Sequence, residues 1–501
     1  MIMSGSRFQL TGSAVDQVED NPIPVYDDDH TTLEPLDTPS DLIPDLGSED
    51  VCTEVQDAST LDEDLTKTSV TSLILLRHFK EGPGHWVPMI AAADRLLRSA
   101  VCAIAAKHLY RLCVAQEDSI ELLRGHKGQK WPALYHNADW RYLSAKHYDE
   151  AIGRLKQAVD LREYEHGLTE KEHMLAAVTI LCIYELMDAP DKAWCAHLSA
   201  LPLFSPVADP VAAPLSPVVI PRTPIQGPIF WSLARQDLLC AFISETQTRL
   251  DLEDMPLWQN AGLATNKDGS LMPFSPPGSA DVRTSADAEE DTKSNELTWL
   301  LGKISNQITS GDAIIPTDYA LPIGHRPQIG VTQERLLERW NLLVTELRKW
   351  KDSLPETFKA VARGLYAGGD SCFASFEQIW YELPICAATM QEYHMARILM
   401  LVNQPQESTA IRSTVSARLK SYRQIQTDVH CHAREICGIS LANPTDPVRA
   451  NSVQSLFVAG QVFHKRHEQN AVLKLLSDIE KDLGWTTSYH RARLIDEWPR
   501  G

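Results

Sequence analysis

Three short stretches of this sequence hold residue types that do chemistry. The first is DDDH, Asp27–His30. Clustered carboxylates bind magnesium, and in an all-helical enzyme such a cluster can position a diphosphate, as in a terpene cyclase. That chemistry needs aspartates on a rigid helix facing a deep cavity. These sit in a stretch whose composition predicts disorder, where a site cannot be pre-organised. The second is VHCHAREIC, with His430, Cys431, His432 and Cys437. All four are metal-ligand types, but neighbours one and two apart on a helix point in different directions. Zinc sites pair their cysteines and histidines at short loop spacings instead, so a structural role is expected here. The third is IFWSLARQDLLCAFISETQTRLDLEDMPLW, from Ile229 to Trp258, where Arg235 and Asp237 interrupt an apolar helical run. Buried charges persist when they are paired. Each is therefore expected to bind a partner inside the fold rather than a substrate.

Other catalytic signatures are missing from the chain. GxxxxGK[ST] and GxGxxG phosphate loops are absent, as are GxSxG and HExxH. His85, His108, His147, His173 and His197 stand singly, and a lone histidine on a helix reads as a structural residue. AKHYDEAIGRLKQAV looks like half of a tetratricopeptide repeat, but a shift of about 34 residues finds no second copy. The stretch therefore supports a helix hairpin and not a solenoid.

The elements that must position these residues are helical. RLLRSAVCAIAAKHLYRLC (Arg95–Cys113) and DWRYLSAKHYDEAIGRLKQAVDL (Asp139–Leu161) carry apolar residues at helical spacing. MLAAVTILCIYELM (Met174–Met187) is apolar all round and is expected at the centre of the fold. It is too short to cross a bilayer and contains Glu185, so no membrane partner is expected. Trp231, Ala234, Leu238, Ala241 and Phe242 line one face of the next helix. Further helices are predicted over 296–308, 333–352, 376–401, 410–439, 451–468 and 470–483, with no strand. The fold class is all-α.

Composition divides the chain. Residues 1–68 read as a disordered acidic tail in which Arg7 and Lys67 are the only basic residues. Within it, DLIPDLGSEDV intersperses Leu42, Ile43 and Leu46 among acids, the alternation of an activation segment. The folded body is expected to begin near Ser69, with residues 69–200 as its N-terminal half. TSLILLRHF forms its first helix, stopped by Gly82-Pro83-Gly84. A proline-rich loop follows over 201–224, then the Arg235/Asp237 helix and an acidic turn over 225–264. Residues 265–295 are polar and read as a disordered insertion, and 296–501 form the C-terminal half. The net charge of −20 repels phosphate backbones, so most of the surface is not a nucleic-acid footprint. Ten scattered cysteines with no CxxC pair read as buried thiols of a soluble, intracellular protein.

Taken in order, several stretches resemble one family, the fungal-specific transcription factor regulatory domain of the binuclear zinc-cluster type. They are SLILLRHFKEGPGHW, SAVCAIAAKHL, HYDEAIGRLKQAV and LAAVTILCIYELMDAPDKAWCAHLSA, then the Ile229–Trp258 run, ICAATMQEYHMARILMLVNQP, and LFVAGQVFHKRHEQNAVLKLLSDIEKDLGW ending at LIDEW. The resemblance covers roughly residues 69–498. It makes Trp194, His197, Trp231, Arg235, Asp237 and Trp258 a structural packing signature, with no catalytic and no metal-binding residue in this chain. It implies a nuclear transcriptional regulator, of the kind that controls pathway genes such as those of secondary metabolism. Implied partners are coactivators, a second copy or a related subunit, and a small-molecule effector. Members usually carry six cysteines in a basic module that binds two zinc ions and docks a helix in the major groove. Here Cys52 is the only cysteine before Cys102. Zinc and DNA contact are therefore expected only through a module absent from this sequence or through a partner. The alternatives are a co-regulator or helical scaffold without DNA binding of its own, and, third, an all-α enzyme of secondary metabolism.

Overall fold

The run QNAVLKLLSDIEKDL shows how the local sequence builds this structure. Ala471, Val472, Leu475, Leu476 and Ile479 recur at helical spacing and are all buried, while Lys474 and Lys481 point outward. The helix ends at Gly484, which adopts the left-handed conformation (φ +64°) and donates its N–H to Glu480. A side chain there would be strained twice over, since its Cβ would also lie 2.7 Å from Arg111 Cβ. Gly484→Ala is expected to destabilise the fold by about 1–2 kcal/mol, lowering the thermal midpoint by a few degrees. An unchanged midpoint would mean that Arg111 does not approach this turn.

A computed structural model of the chain describes residues 94–115, 138–160, 168–188, 196–198, 226–266, 269–272, 282–309, 333–405 and 415–498. The acidic tail with DDDH, the helix at TSLILLRHF, Trp194 and the proline-rich loop lie outside them. The described residues all fall within one unit, Ile74–Gly501. Their helices are α1 (Arg95–Ala115), α2 (Trp140–Asp160), α3 (Leu168–Leu186), α4 (Gln226–Ser244), α5 (Met255–Asn260) and α6 (Val282–Thr309). There follow α7 (Gln333–Asp352), α8 (Pro384–Val402), α9 (Val415–Leu441), α10 (Asp446–Val462), α11 (Arg466–Leu483) and α12 (Ser488–Glu497). The all-α class expected from the sequence is the one observed.

One apolar core runs through most of these helices. α3 lies inside it, as its uniform apolarity predicts: Ala177, Leu181 and Cys182 are completely buried. α1 packs on both α2 and α3, and α8 packs on α6, α9 and α10. Lys107 on α1 is buried too. Its ammonium bonds to Tyr184 O at 2.6 Å and Asp188 at 2.7 Å, and lies 3.7 Å from the Tyr184 ring centre, which is how a core tolerates a charge.

Three departures from the sequence reading have physical causes. The helix predicted from Glu296 begins at Val282, inside the segment read as disordered. Several of its polar residues are buried, Lys293 and Glu296 among them: Lys293 lies 3.0 Å from Glu296 and 3.1 Å from Ser353 Oγ, and Trp350 Nε1 donates to Lys293 O. Composition marks such residues as surface, whereas their contacts lie on a helix distant in sequence. The helix predicted from 376 begins at Pro384, because Glu377–Trp380 is a strand (β2) paired antiparallel with Ala362–Leu365 (β1). That hairpin seats on α9 at Gly438, where any Cβ would lie 2.6 Å from Glu377 O. A strand of four residues is too short to leave a periodic signal. Finally, Cys240 is disulfide-bonded, whereas thiols are expected throughout; Cys386 and Cys437 are buried free thiols, and Cys102 and Cys182 are buried as well.

Candidate functional site

Arg235 and Asp237 lie two residues apart on α4 and so point in different directions. Asp237 is 1% exposed. It accepts from the backbone N–H groups of Arg249 (2.8 Å) and Leu250 (2.9 Å), and from Arg249 Nη1 at 3.3 Å. Burial pushes its carboxyl upward, and these bonds pull it back. It is thus a clasp holding the chain after α4 against the helix. The aromatic residues of the same run complete the joint. Trp231 and Trp258 stand 5.5 Å apart with Phe230 edge-on to both. Their indole N–H groups donate to Ala261 O and Asp251 O at 2.8 and 2.9 Å. Buried Trp needs such a partner.

Arg235 faces the other way, into a cavity of about 950 Å³ bounded by α3, α4, α6, α8, α10 and the turn into α12. Its Nη2 donates to Ser294 Oγ (3.2 Å) and Asn295 Oδ1 (2.8 Å). Burial lowers its pKa, and Glu392 and Asp291 act in the opposite sense. Glu392, on α8, also lines the cavity and accepts from Asn451 Nδ2 at 2.8 Å. Burial raises its pKa, while Arg235 and Asn451 lower it. Most of the remaining wall is apolar, including Trp231, Leu239, Phe242, Leu301, Met395 and Trp485. A cavity of this volume with largely apolar walls and a few polar groups has the character of a small-molecule site.

The other residues singled out by sequence do not assemble with it. His197 sits beside Tyr148, its Nε2 3.3 Å from the phenol oxygen, and burial lowers its pKa against the pull of Glu185. His430 bonds to Glu468 at 2.9 Å, whereas His432 bonds to His394 at 2.8 Å between Nδ1 atoms. Cys431 is exposed, and Cys437 is buried with its thiol pKa pushed up by burial. His430, Cys431 and His432 therefore diverge as helix geometry requires, and Cys437 lies about two turns further along. Among the described residues no group of three or more His, Cys, Asp or Glu could hold a metal ion, and no helix is long and apolar enough to cross a membrane. Sequence reasoning found Arg235 but missed Glu392, Asn451 and the cavity. Glu392 in MQEYHMAR looks like an ordinary solvent-facing position, and nothing local marks it otherwise.

The described residues define an all-helical domain built around one apolar core. Residues 70–202 match the family model of the fungal specific transcription factor domain. The chain is also similar to the Transcription activator AMTR1 of Alternaria alternata. It is 30% identical over 510 residues, an alignment covering 87% of this chain and 64% of that protein. The chain thus spans less than two thirds of the relative's length. No solved structure matches the chain.

Proposed function

We propose that this protein is a transcriptional regulator that works in the nucleus, with the helical body as its regulatory part. The observation that carries the reading is the similarity to a transcription activator across 87% of the chain, together with the domain match over 70–202. The helical body masks or presents the acidic segment of residues 1–68 to coactivators, whose recognition of acidic-hydrophobic sequence suits DLIPDLGSEDV. DNA is reached through a zinc module outside this sequence or through a DNA-binding partner, since the chain's charge of −20 opposes direct contact. Control of secondary-metabolite genes is the finer part of this reading.

Chromatin occupancy of the protein, tagged at its C-terminus at the native locus, tests it. Discrete promoter peaks are expected, and their shared motif identifies whichever module reads the DNA. A cytoplasmic signal with no enrichment would move the scaffold and enzyme readings ahead. In a reporter fusion, removing residues 1–68 is expected to lower activation several-fold, on the order of losing one activation segment. Full activation without the tail would remove its assigned role while leaving the regulator reading intact.

A further inference from the structure

One property of the cavity is not explained by packing. Arg235 and Glu392 both line it and attract one another electrostatically, yet among the described residues neither takes part in an ion pair. Each is held by neutral side chains instead. Arg235 uses Nη2 alone, to Ser294 and Asn295, and Glu392 uses Oε1, to Asn451. Charges withdrawn from water ordinarily meet directly, because their attraction is what offsets desolvation. Here the guanidinium keeps Nε and Nη1, and the carboxylate keeps its second oxygen, for a group standing between them. The three neutral partners belong to α6 and α10, so both charges are fixed in place before anything enters.

We propose that this cavity binds a small molecule with no net charge, neutral or zwitterionic. It would have an apolar body, an acceptor oxygen for Arg235 and an N–H or O–H donor for Glu392. The volume of about 950 Å³ suits a drug-sized molecule. The apolar walls take the body, and the separated charges fix its orientation. An anion would meet Glu392 and Asp291 against the single Arg235, and a simple cation would offer no acceptor to the Arg235 N–H groups. The ligand bridges α4, α6, α8 and α10, so its occupancy bears on how these helices are held together. The inference deepens the regulator reading and rests on it for biological meaning; binding itself does not depend on it.

Dansylamide is a suitable probe, being uncharged and aromatic with sulfonyl acceptors and N–H donors on one group. Titrated into the full chain, it is expected to bind saturably, one to one, with blue-shifted emission. Ala388 lines the cavity, and Ala388→Phe should intrude on the space the ligand occupies and weaken binding by about tenfold. Glu392→Gln removes a negative charge from the wall. It should weaken dansylamide several-fold and strengthen binding of dansylate, the anionic sulfonate analogue, by roughly the same factor. A purely structural role for Glu392 would not reverse that preference. Thermal unfolding of each variant shows that it is folded, and if Ala388→Phe is not, the charge variant decides alone. No saturable binding to the wild-type chain, or no change of preference in Glu392→Gln, would overturn the proposal. Promoter occupancy without dansylamide binding would remove the ligand site and leave the regulator; binding without occupancy would do the reverse.

Discussion

Acidification from about pH 7 to about pH 4.5 is expected to destabilise the folded domain, and His490→Phe is expected to remove a measurable part of that loss. His490, on α12, is 7% exposed, its Nδ1 has no hydrogen-bond partner, and its ring packs edge-on against Phe457 at 5.3 Å. Burial, helped by the neighbouring Arg493, lowers its pKa from 6.5 to about 4. In the unfolded chain the ring takes up a proton near 6.5, but in the fold only near 4. Below 6.5 the unfolded state therefore holds a proton that the folded state lacks. The contribution of the neutral ring is fully present above 6.5 and falls away as the pH drops toward 4. Across that window the loss amounts to roughly 3 kcal/mol.

His432 acts in the same sense, with its pKa lowered to about 4 by burial and by Arg397. His394 is held well below its ordinary value by burial, His432 and the cations Lys351, Arg363 and Arg397. The bond between the two rings needs one neutral acceptor, so double protonation breaks it. Asp237, Glu296 and Glu392 oppose the trend. Burial raises their pKa values, so the fold gains relative stability as pH falls through those raised values. The comparison that isolates His490 is urea unfolding of wild type and His490→Phe across the same pH range. The stability difference should shift in favour of the variant as pH falls. Parallel curves would show that His490 is not held neutral by burial.

Asp237→Ala is expected to cost about 3–4 kcal/mol, enough to deplete the folded protein in cells. The carboxylate satisfies the N–H groups of Arg249 and Leu250, and Leu250 is buried in the main core. Without it two backbone donors lose their acceptor, and a buried donor left unmade costs about 1–3 kcal/mol. The Arg249 contact adds less, since that side chain is 40% exposed. Asp237→Asn keeps one acceptor oxygen and should lose less than Asp237→Ala. Equal losses for the two, measured by denaturant midpoint, would mean that side-chain volume rather than hydrogen bonding fixes the turn. Thr248 serves the same turn from its other side, its N–H donating to Asn306 Oδ1 at 2.9 Å. Loosening at Asp237 should therefore be felt on α6 as well.

Much of this architecture was legible because helices write themselves locally. Leu97, Val101, Ala105 and Leu109 on α1, or Val472, Leu476 and Ile479 on α11, announce a buried face by spacing alone. Lys293 and Glu290 carry no such announcement. They read as solvated charges in a polar stretch, yet both are buried, and the Ser353 and Thr357 hydroxyls that partner them lie 60 and 67 residues away. The hairpin is similar: Ile379 is buried under α9, whereas the stretch from Glu377 reads locally as the start of the helix that begins only at Pro384.

The sequence by itself determined the helical class, the positions of most helices, the absence of catalytic signatures and the ordered set of stretches that resemble one regulatory family. These follow from periodicity and local residue chemistry, which act over a few residues. Tertiary structure alone decided what the two sides of α4 meet: a turn that Asp237 clasps and a cavity that Arg235 faces. It alone placed Glu392 in the same cavity as Arg235 without joining them. The reason is physical: a helix specifies only the direction in which its side chains leave, and what a charge meets there is set by other segments, as near in the chain as Arg249 for Asp237 or as far as Asn295 and Glu392 for Arg235.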